Sequence, residues 1–147
     1  MDTRTKLDNA IKDAMRAGDD LRKRTLRMTL AAIRQQEIDK GITLDEAAVQ
    51  TTLQKEIKTR NESIADAQKA HRPDLEAEAR AEIEVLQDFL PKQLSSQELD
   101  EMAKQAVTET GATSLKEMGQ VMKVLLPRLQ GRASGDQASQ AVRKLLA

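Results

Sequence analysis

The chain has 147 residues with 24 basic and 24 acidic side chains, so its formal net charge is zero. It has no cysteine, which excludes disulfides, thiolate nucleophiles and cysteine-ligated metals, and Phe89 is its only aromatic residue. No run reaches the roughly 20 apolar residues that span a bilayer, and the N-terminus lacks the apolar core of a signal peptide. We therefore expect a cytoplasmic protein without a membrane partner, and an all-α fold with a core of aliphatic residues and Met.

Four helices are predicted in the first 90 residues. Their apolar residues recur at spacings of three, four and seven, and Gly18, Gly41 and Pro73 mark helix ends or starts. The predicted helices run from Asp2 to Ala17, from Asp19 or Asp20 to about Lys40, from Asp45 to about Ala70, and from Pro73 to the region of Leu90. Arg60 falls in the apolar stripe of the third helix, so we expect it to extend its charge to solvent or to pair with a carboxylate such as Glu56.

Three further helices are predicted after Pro91, which ends the fourth helix. The segment LPKQLSS is short and polar, as is typical of a hinge, and it separates a domain at 1–91 from a domain at 92–147. We predict capping boxes at Thr43, Ser95, Ser114 and Ser134. In a capping box, a hydroxyl side chain and a Glu or Gln three residues later each accept the backbone N–H of the other residue. Pro127 is predicted to stop the sixth helix and Gly131 to adopt a positive φ.

Four segments together resemble the GatB/YqeY family. They are LRMTLAAIRQQEI at 26–38, RPDLEAE at 72–78, FLPKQLS at 89–95 and GATSLKEMGQVMKVLLPRLQGRASG at 111–135. Their order and spacing resemble the stand-alone YqeY-like members along nearly the whole chain. Two positions depart from the family pattern. His71 stands where Gly is usual, and Ser134 stands where Asp is common.

The resemblance implies an N-terminal helical domain of about four helices followed by a small three-helix domain. The second domain resembles the C-terminal domain of the GatB component of the aminoacyl-tRNA amidotransferases, which contacts tRNA. It therefore implies a tRNA-binding or amidotransferase-related accessory protein, with tRNA, a tRNA-charging protein or an amidotransferase as partner. The family is often assigned carbon–nitrogen ligase activity with glutamine as amido donor, which leaves the question of an enzyme open for this chain.

A basic excess in the last 30 residues gives the candidate site. Residues 118–147 carry five basic side chains and one acidic one, Asp136. Glycine N–H groups and a helix N-terminus can bind a phosphate, and nearby arginines add charge, although a plain turn between helices explains the same glycines. The predicted RNA-binding residues are Lys123, Arg128, Gly131, Arg132, Gly135, Arg143 and Lys144.

Other residues give weaker signals. Lys116, Gln120 and Lys123 fall on one helical face, which is either part of a basic patch or an ordinary solvated surface. Gly119 lies inside a helix, which suggests either a tight helix crossing or room for a nucleic-acid backbone. No constellation for catalysis is visible, and we expect no metal, no cofactor and no DNA partner.

Three functional hypotheses follow. The first is a module that binds RNA phosphates, since base stacking needs aromatic residues that this chain lacks. The second is a helical adaptor that docks on a protein through exposed apolar helix faces and has no affinity for RNA. The third is glutamine-dependent amide transfer, for which the chain offers neither a cysteine nucleophile nor a nucleotide-binding loop.

Overall fold

The computed structural model describes residues 2–147. These residues form seven α-helices and one short 3₁₀ helix and contain no strand, which confirms the all-α prediction. The helices are α1 Thr3–Ala17, α2 Asp20–Lys40, α3 Glu46–Lys69, α4 Pro73–Gln87, α5 Ser96–Thr110, the 3₁₀ helix Leu115–Glu117, α6 Met118–Leu129 and α7 Gly135–Leu146.

The chain divides into two compact units. The first ends at Leu90 and contains α1 to α4, and the second, Pro91–Ala147, contains α5 to α7. Each unit has a hydrophobic core of its own.

The core of the first unit forms where α1, α2 and α3 meet. Leu7, Leu26 and Ile33 are fully buried there, and Val49 from α3 joins them. Their spacing places them on one face of each helix, so that burial of this face stabilises helices whose exposed faces are strongly charged. A second cluster, Ile64 with Ala79 and Ile83, packs α3 against α4.

A buried ion cluster also joins α3 to α4. The side chain of Arg60 is only 7% exposed, and its Nε donates to Glu82 Oε2 at 2.7 Å. Its Nη1 donates to Glu56 Oε2 at 2.9 Å and to the Glu56 carbonyl at 3.1 Å. The predicted partner Glu56 is therefore confirmed, and Glu82, 22 residues further along the chain, is a second partner.

Two of the four predicted capping boxes are present in the structure. Ser95 and Ser134 form complete capping boxes with Glu98 and Gln137. The box predicted at Thr43 is wrong, because Asp45 caps α3 and accepts the N–H of Ala48. The box predicted at Ser114 is also wrong, because that residue makes no side-chain cap bond.

The two glutamates that the wrong predictions assigned to capping boxes accept other hydrogen bonds. Glu46, which the Thr43 box would have used, accepts the N–H and hydroxyl of Thr3 and so ties α1 to the start of α3. Glu117 accepts the N–H of Thr113 at 3.3 Å and its hydroxyl at 3.2 Å. The spacing of the residues predicts a capping box, but in the structure the carboxylate binds another N–H or hydroxyl donor.

The second unit is a three-helix arrangement in which α5, α6 and α7 each pack on the other two. Val121, Leu125 and Val142 are fully buried, and Ala103 and Ala106 of α5 face them. The prediction that Pro127 stops the sixth helix is wrong, because α6 continues through it to Leu129. Pro127 removes the bond that an N–H would make to the Lys123 carbonyl and crowds that carbonyl with its ring, and the helix nevertheless continues to Leu129, which is buried.

Candidate nucleic-acid interface

The turn between α6 and α7 has two successive residues in the left-handed region. Gln130 has φ 50° and Gly131 has φ 77°, so the predicted positive φ of Gly131 is confirmed and that of Gln130 was not foreseen. Glycine adopts this conformation without steric cost, whereas Gln130 adopts it as the C-cap of α6. The chain then enters α7 through Ser134, whose hydroxyl accepts the N–H of Gln137 at 3.1 Å.

This turn is bonded to the segment that opens the second unit. The N–H of Leu94 donates to the Arg132 carbonyl at 2.8 Å, and the Gln93 amide donates to the Gly131 carbonyl at 3.0 Å. The Arg132 Nε donates to the Lys92 carbonyl at 3.0 Å. Three bonds between positions about 40 residues apart give the turn a structural role in holding residues 92–94.

The N-terminus of α7 already carries groups that compensate its partial positive charge. Ser134 and Gln137 satisfy each other's backbone N–H groups, and Asp136 places a carboxylate in the first turn. A Cβ at Gly135 would lie 3.9 Å from Leu126, an ordinary contact. The predicted phosphate contacts at Gly131 and Gly135 therefore stay predictions, at a helix end where a phosphate would compete with groups of the chain itself.

Two predicted cations are engaged within the second unit. Arg128 pairs with Glu109 of α5 at 2.5 Å, and Arg132 is bonded as described above. Arg128 and Lys123 lie five positions apart, which separates them by about 140° around α6. They therefore do not share one face of that helix.

The remaining predicted cations lie away from the turn. Lys123 is exposed on α6, and Arg143 and Lys144 are exposed in the last turn of α7. At about 1.5 Å per residue, Arg143 is roughly 12 Å along the helix axis from Gly135. The structure thus divides the seven predicted residues among the turn, the contact with α5 and the outer faces of α6 and α7.

The outer face of α6 is open near its N-terminus, and it is continued by Lys116 of the preceding 3₁₀ helix. Lys116, Gln120 and Lys123 are all exposed, and no ion pair with either lysine occurs in residues 2–147. A Cβ at Gly119 would meet no atom within 4 Å. The tight helix crossing favoured for Gly119 is therefore wrong, and the glycine faces open space.

Hydrogen bonds within the first unit lower the pKa of Glu37 and of Asp74, two carboxyl groups that pair with arginines. The pKa of Glu37 is lowered, first by its hydrogen bond with Arg4 and then by the N–H of Leu44, which donates to Glu37 Oε2 at 2.8 Å. The pKa of Asp74 is lowered chiefly by its hydrogen bond with Arg72. Both carboxylates are paired with arginines near helix ends, as is typical of groups that stabilise the fold.

Other candidate sites offer little chemistry. An open groove of about 440 Å³ lies between α3 and α4, lined by Arg60, Ser63, Asp66 and Glu82 among others. His71 is exposed and has φ 55°, a conformation that suits the Gly usual at this place in the family. Within residues 2–147 there is no cluster of potential metal ligands. None of the helices so described has the length and apolar character to cross a membrane.

Curated relatives of this chain occur in fungi. Three of them are named "Altered inheritance of mitochondria protein 41, mitochondrial". The protein of Lachancea thermotolerans is 37% identical over 74% of this chain and 60% of its own length. The proteins of Vanderwaltozyma polyspora and Kluyveromyces lactis are each 37% identical, over 64% and 70% of this chain and 52% and 57% of their own lengths. The chain thus spans between half and three fifths of the length of these three relatives.

These names contradict the expectation of a cytoplasmic protein. The relatives are named as mitochondrial proteins, whereas the expectation had been drawn from the missing cysteines and the missing apolar leader. Neither feature distinguishes the cytoplasm from the interior of an organelle, because both can hold a cysteine-free helical protein.

The strongest comparison is with a family model. The model described as "Yqey-like protein" matches residues 4–146, which is nearly the whole chain and includes both units. The four segments that carry the resemblance all lie within this range. The chain therefore belongs to the YqeY-like protein family.

Proposed function

We propose that the second unit binds the phosphates of structured RNA, with tRNA as the first candidate because the unit resembles the tRNA-contacting domain of the amidotransferases. The observation that carries the proposal is the open face of α6, where Gln120 and Lys123, together with Lys116 of the preceding 3₁₀ helix, surround the uncrowded Gly119. A glycine facing open space lets a bulky backbone approach the helix, and the two lysines supply charges that no acidic side chain neutralises.

The last turn of α7 adds two cations at the same end of the second unit. Only five residues, 130–134, join α6 to α7, and connections of that length usually link antiparallel helices. Antiparallel packing brings Arg143 and Lys144 to the end of the unit where α6 begins. The basic surface therefore lies at the opposite end of the α6–α7 pair from the glycine turn.

The composition favours phosphate contacts over base recognition. Phe89 is the only aromatic side chain, so bases have no stacking platform in residues 91–147. Lysine contributes to phosphate binding as a mobile point charge, and such contacts position RNA without reading its sequence. A net charge of zero for the whole chain limits long-range attraction, so we expect weak, salt-sensitive binding.

The predicted turn residues keep a supporting role in this proposal. Arg128 and Arg132 hold α5 and residues 92–94 in place, so reversing their charge would disturb the unit as well as any RNA contact. Variants on the open face of α6 test RNA binding more directly, because their side chains have no partner to lose.

The test is the affinity for unmodified tRNA, measured by filter binding at several salt concentrations. The test variant is Lys116→Glu/Lys123→Glu, and the matched control is Lys6→Glu/Lys55→Glu in the first unit, which makes the same change of charge at exposed positions. For the wild type, log K should fall linearly with log salt. Loss of two phosphate contacts should reduce that slope by about 1.5 and weaken binding at low salt at least tenfold.

Equal affinity of the wild type and the Lys116→Glu/Lys123→Glu variant would refute this site. An equal loss in the control would show that only net charge matters. Absence of binding to the wild type at about 50 mM salt, where phosphate contacts are strongest, would refute the function itself.

A further inference from the structure

The outward face of α2 carries an apolar stripe that the core of the first unit does not use. Its apolar members are Met28, Ala31 and Ile38, and the polar Gln35 occupies the remaining position, so that successive positions lie three, four and three residues apart. This is the a/d spacing of a coiled-coil seam. The opposite face of α2 supplies the buried residues Leu26, Leu30 and Ile33, so the helix has two apolar faces.

The stripe is strongly exposed. Ile38 is 74% exposed and Met28 is 54% exposed, and Ile42, just beyond the helix, is 53% exposed. A single exposed apolar residue is ordinary, but several in one register form a patch that water solvates poorly. Two of the neighbouring residues, Met28 and Met15, are flexible thioethers that adapt to different partners.

Cations border this stripe along one side. Arg27 and Arg34 lie seven positions apart, which puts both on the same flank of α2, next to Ala31 and Ile38. The Arg27 guanidinium contacts the Met15 sulfur at 3.4 Å, which holds it beside the patch. In coiled-coil terms these arginines occupy positions whose charge selects the partner.

We propose that the outward face of α2 is a docking surface for an acidic amphipathic helix of a partner protein. Apolar residues of that helix would cover Met28, Ala31 and Ile38, and its carboxylates would face Arg27 and Arg34. This is the helix-in-groove mode of recognition, with the apolar seam giving affinity and the flanking charges giving specificity. The inference concerns the first unit and does not depend on RNA binding by the second.

Charge argues against a second copy of this chain as the occupant. In an antiparallel pair of α2 helices, equivalent flanks meet, so Arg27 and Arg34 of both copies would line the same side. Four cations along one seam repel each other, and no acidic residue occupies that flank of α2 between them. In a parallel pair each arginine faces the residue five positions further along the other copy, which pairs Arg34 with Asp39 but leaves Arg27 opposite Ala32, so a second copy does not pair both arginines in either orientation. An acidic helix meets the same flank with attraction.

A lipid surface is a poorer fit than a helix. The stripe is only one residue wide and includes Gln35, and it has none of the Trp or Phe residues that anchor an interfacial helix. The other face of α2 is fixed in the protein core, so the helix cannot immerse itself in a headgroup layer. A narrow seam at heptad spacing is the geometry that another helix covers.

The experiment titrates the full chain, labelled with ¹⁵N, with a designed peptide of four heptads that has Leu at a and d and Glu at e and g. A matched peptide carries Lys in place of every Glu. Chemical-shift changes should appear along residues 27–42 with the Glu peptide and be far weaker with the Lys peptide. Because one helix face buries less than the roughly 800 Å² per partner of a stable complex, micromolar affinity is expected.

Three variants locate the binding surface. Ile38→Glu should raise the dissociation constant of the Glu peptide at least tenfold, since it removes an apolar anchor and adds a like charge. Leu145→Glu in α7, at a leucine that is also exposed, is the matched control and should leave the constant unchanged. Arg27→Glu/Arg34→Glu should reverse the preference, so that the Lys peptide binds more tightly than the Glu peptide.

Several outcomes would overturn the proposal. They are shift changes centred outside residues 27–42, equal binding of both peptides by the wild type, or an unchanged preference in the Arg27→Glu/Arg34→Glu variant. Dimerisation of the free chain through Ile38 in sedimentation experiments would assign the surface to a second copy. Binding to vesicles with about 30% anionic lipid that Ile38→Glu abolishes would assign it to a membrane.

Discussion

Arg60 is buried between α3 and α4, where it binds one carboxylate from each helix. Replacing it by alanine removes the charge-assisted bonds to Glu82 at 2.7 Å and to Glu56 at 2.9 Å. It also leaves the two carboxylates near each other without the cation between them. Because the cluster joins the two helices, we expect Arg60→Ala to destabilise the first unit substantially.

The magnitude follows from the number and burial of the bonds. A hydrogen bond to a charged group contributes about 1.5–3 kcal/mol, so two such bonds give roughly 3–6 kcal/mol. The carboxylates of Glu56 and Glu82 are 24% and 17% exposed, so water recovers part of this loss in the variant. We therefore expect Arg60→Ala to cost about 3 kcal/mol, at the lower end of the range for breaking a buried pair.

The assay is urea unfolding of the full chain, followed by circular dichroism at 222 nm because the chain has no Trp or Tyr. With a slope of about 1.5 kcal/mol per molar urea, the midpoint for the first unit should fall by about 2 M. A double-mutant cycle with Glu82→Ala should give a coupling energy of about 2 kcal/mol. The control is the same cycle on Arg16 and Asp13, a pair at 3.5 Å whose side chains are 76% and 73% exposed. It should give less than about 0.5 kcal/mol.

A coupling energy for Arg60 and Glu82 no larger than that of the exposed pair would refute this reasoning. It would mean that the direct attraction between Arg60 and Glu82 is no stronger than that of a pair in water. The Arg60→Met variant keeps an aliphatic side chain but removes the charge. If this variant were as stable as the wild type, the reasoning would be refuted as well. The effect would then belong to packing rather than to the ion cluster.

Three smaller effects follow from the same structure. The hydrogen bond with Arg4 lowers the pKa of Glu37 in the folded state. The ionised Glu37 therefore stabilises the fold above its ordinary pKa of 4.5, and this stabilisation is lost as the pH falls through the lower folded-state pKa. Urea midpoints measured across this range should fall more steeply with decreasing pH in the wild type than in Glu37→Gln. Gly119→Ala should raise the stability of the second unit by about 0.5–1 kcal/mol in thermal melts, since a Cβ meets open space, and a loss would reveal a close neighbour. Pro127→Ala should add about 1–2 kcal/mol by restoring a backbone N–H in α6, and an unchanged melting temperature would contradict this.

Helix identity and most helix ends were predictable because they depend on neighbouring residues. Gly18, Gly41 and Gly111 end their helices in the left-handed conformation, and Ser95 and Ser134 start theirs through bonds that span three residues. All of these interactions form within one turn of chain.

Two of the wrong predictions concern residues whose environment is set partly by distant parts of the chain. The cap predicted at Thr43 failed because Asp45 caps α3 instead, and the Glu46 that the box would have used bonds Thr3, 43 residues away. The stop predicted at Pro127 failed because burial of Leu129 extends α6 beyond it.

The candidate site was also predictable from the sequence only in part. The basic excess of residues 118–147, the glycine turn and the stripe position of Arg60 were all visible in the sequence. Only the folded structure showed that Arg128 is paired with Glu109 and Arg132 with the Lys92 carbonyl, and that Gly119 faces open space. The sequence alone determined the helices, their charges and the caps at Ser95 and Ser134, because these depend on residues within one helical turn. The tertiary structure decided which charges remain unpaired, because pairing joins residues that only packing of the helices brings together.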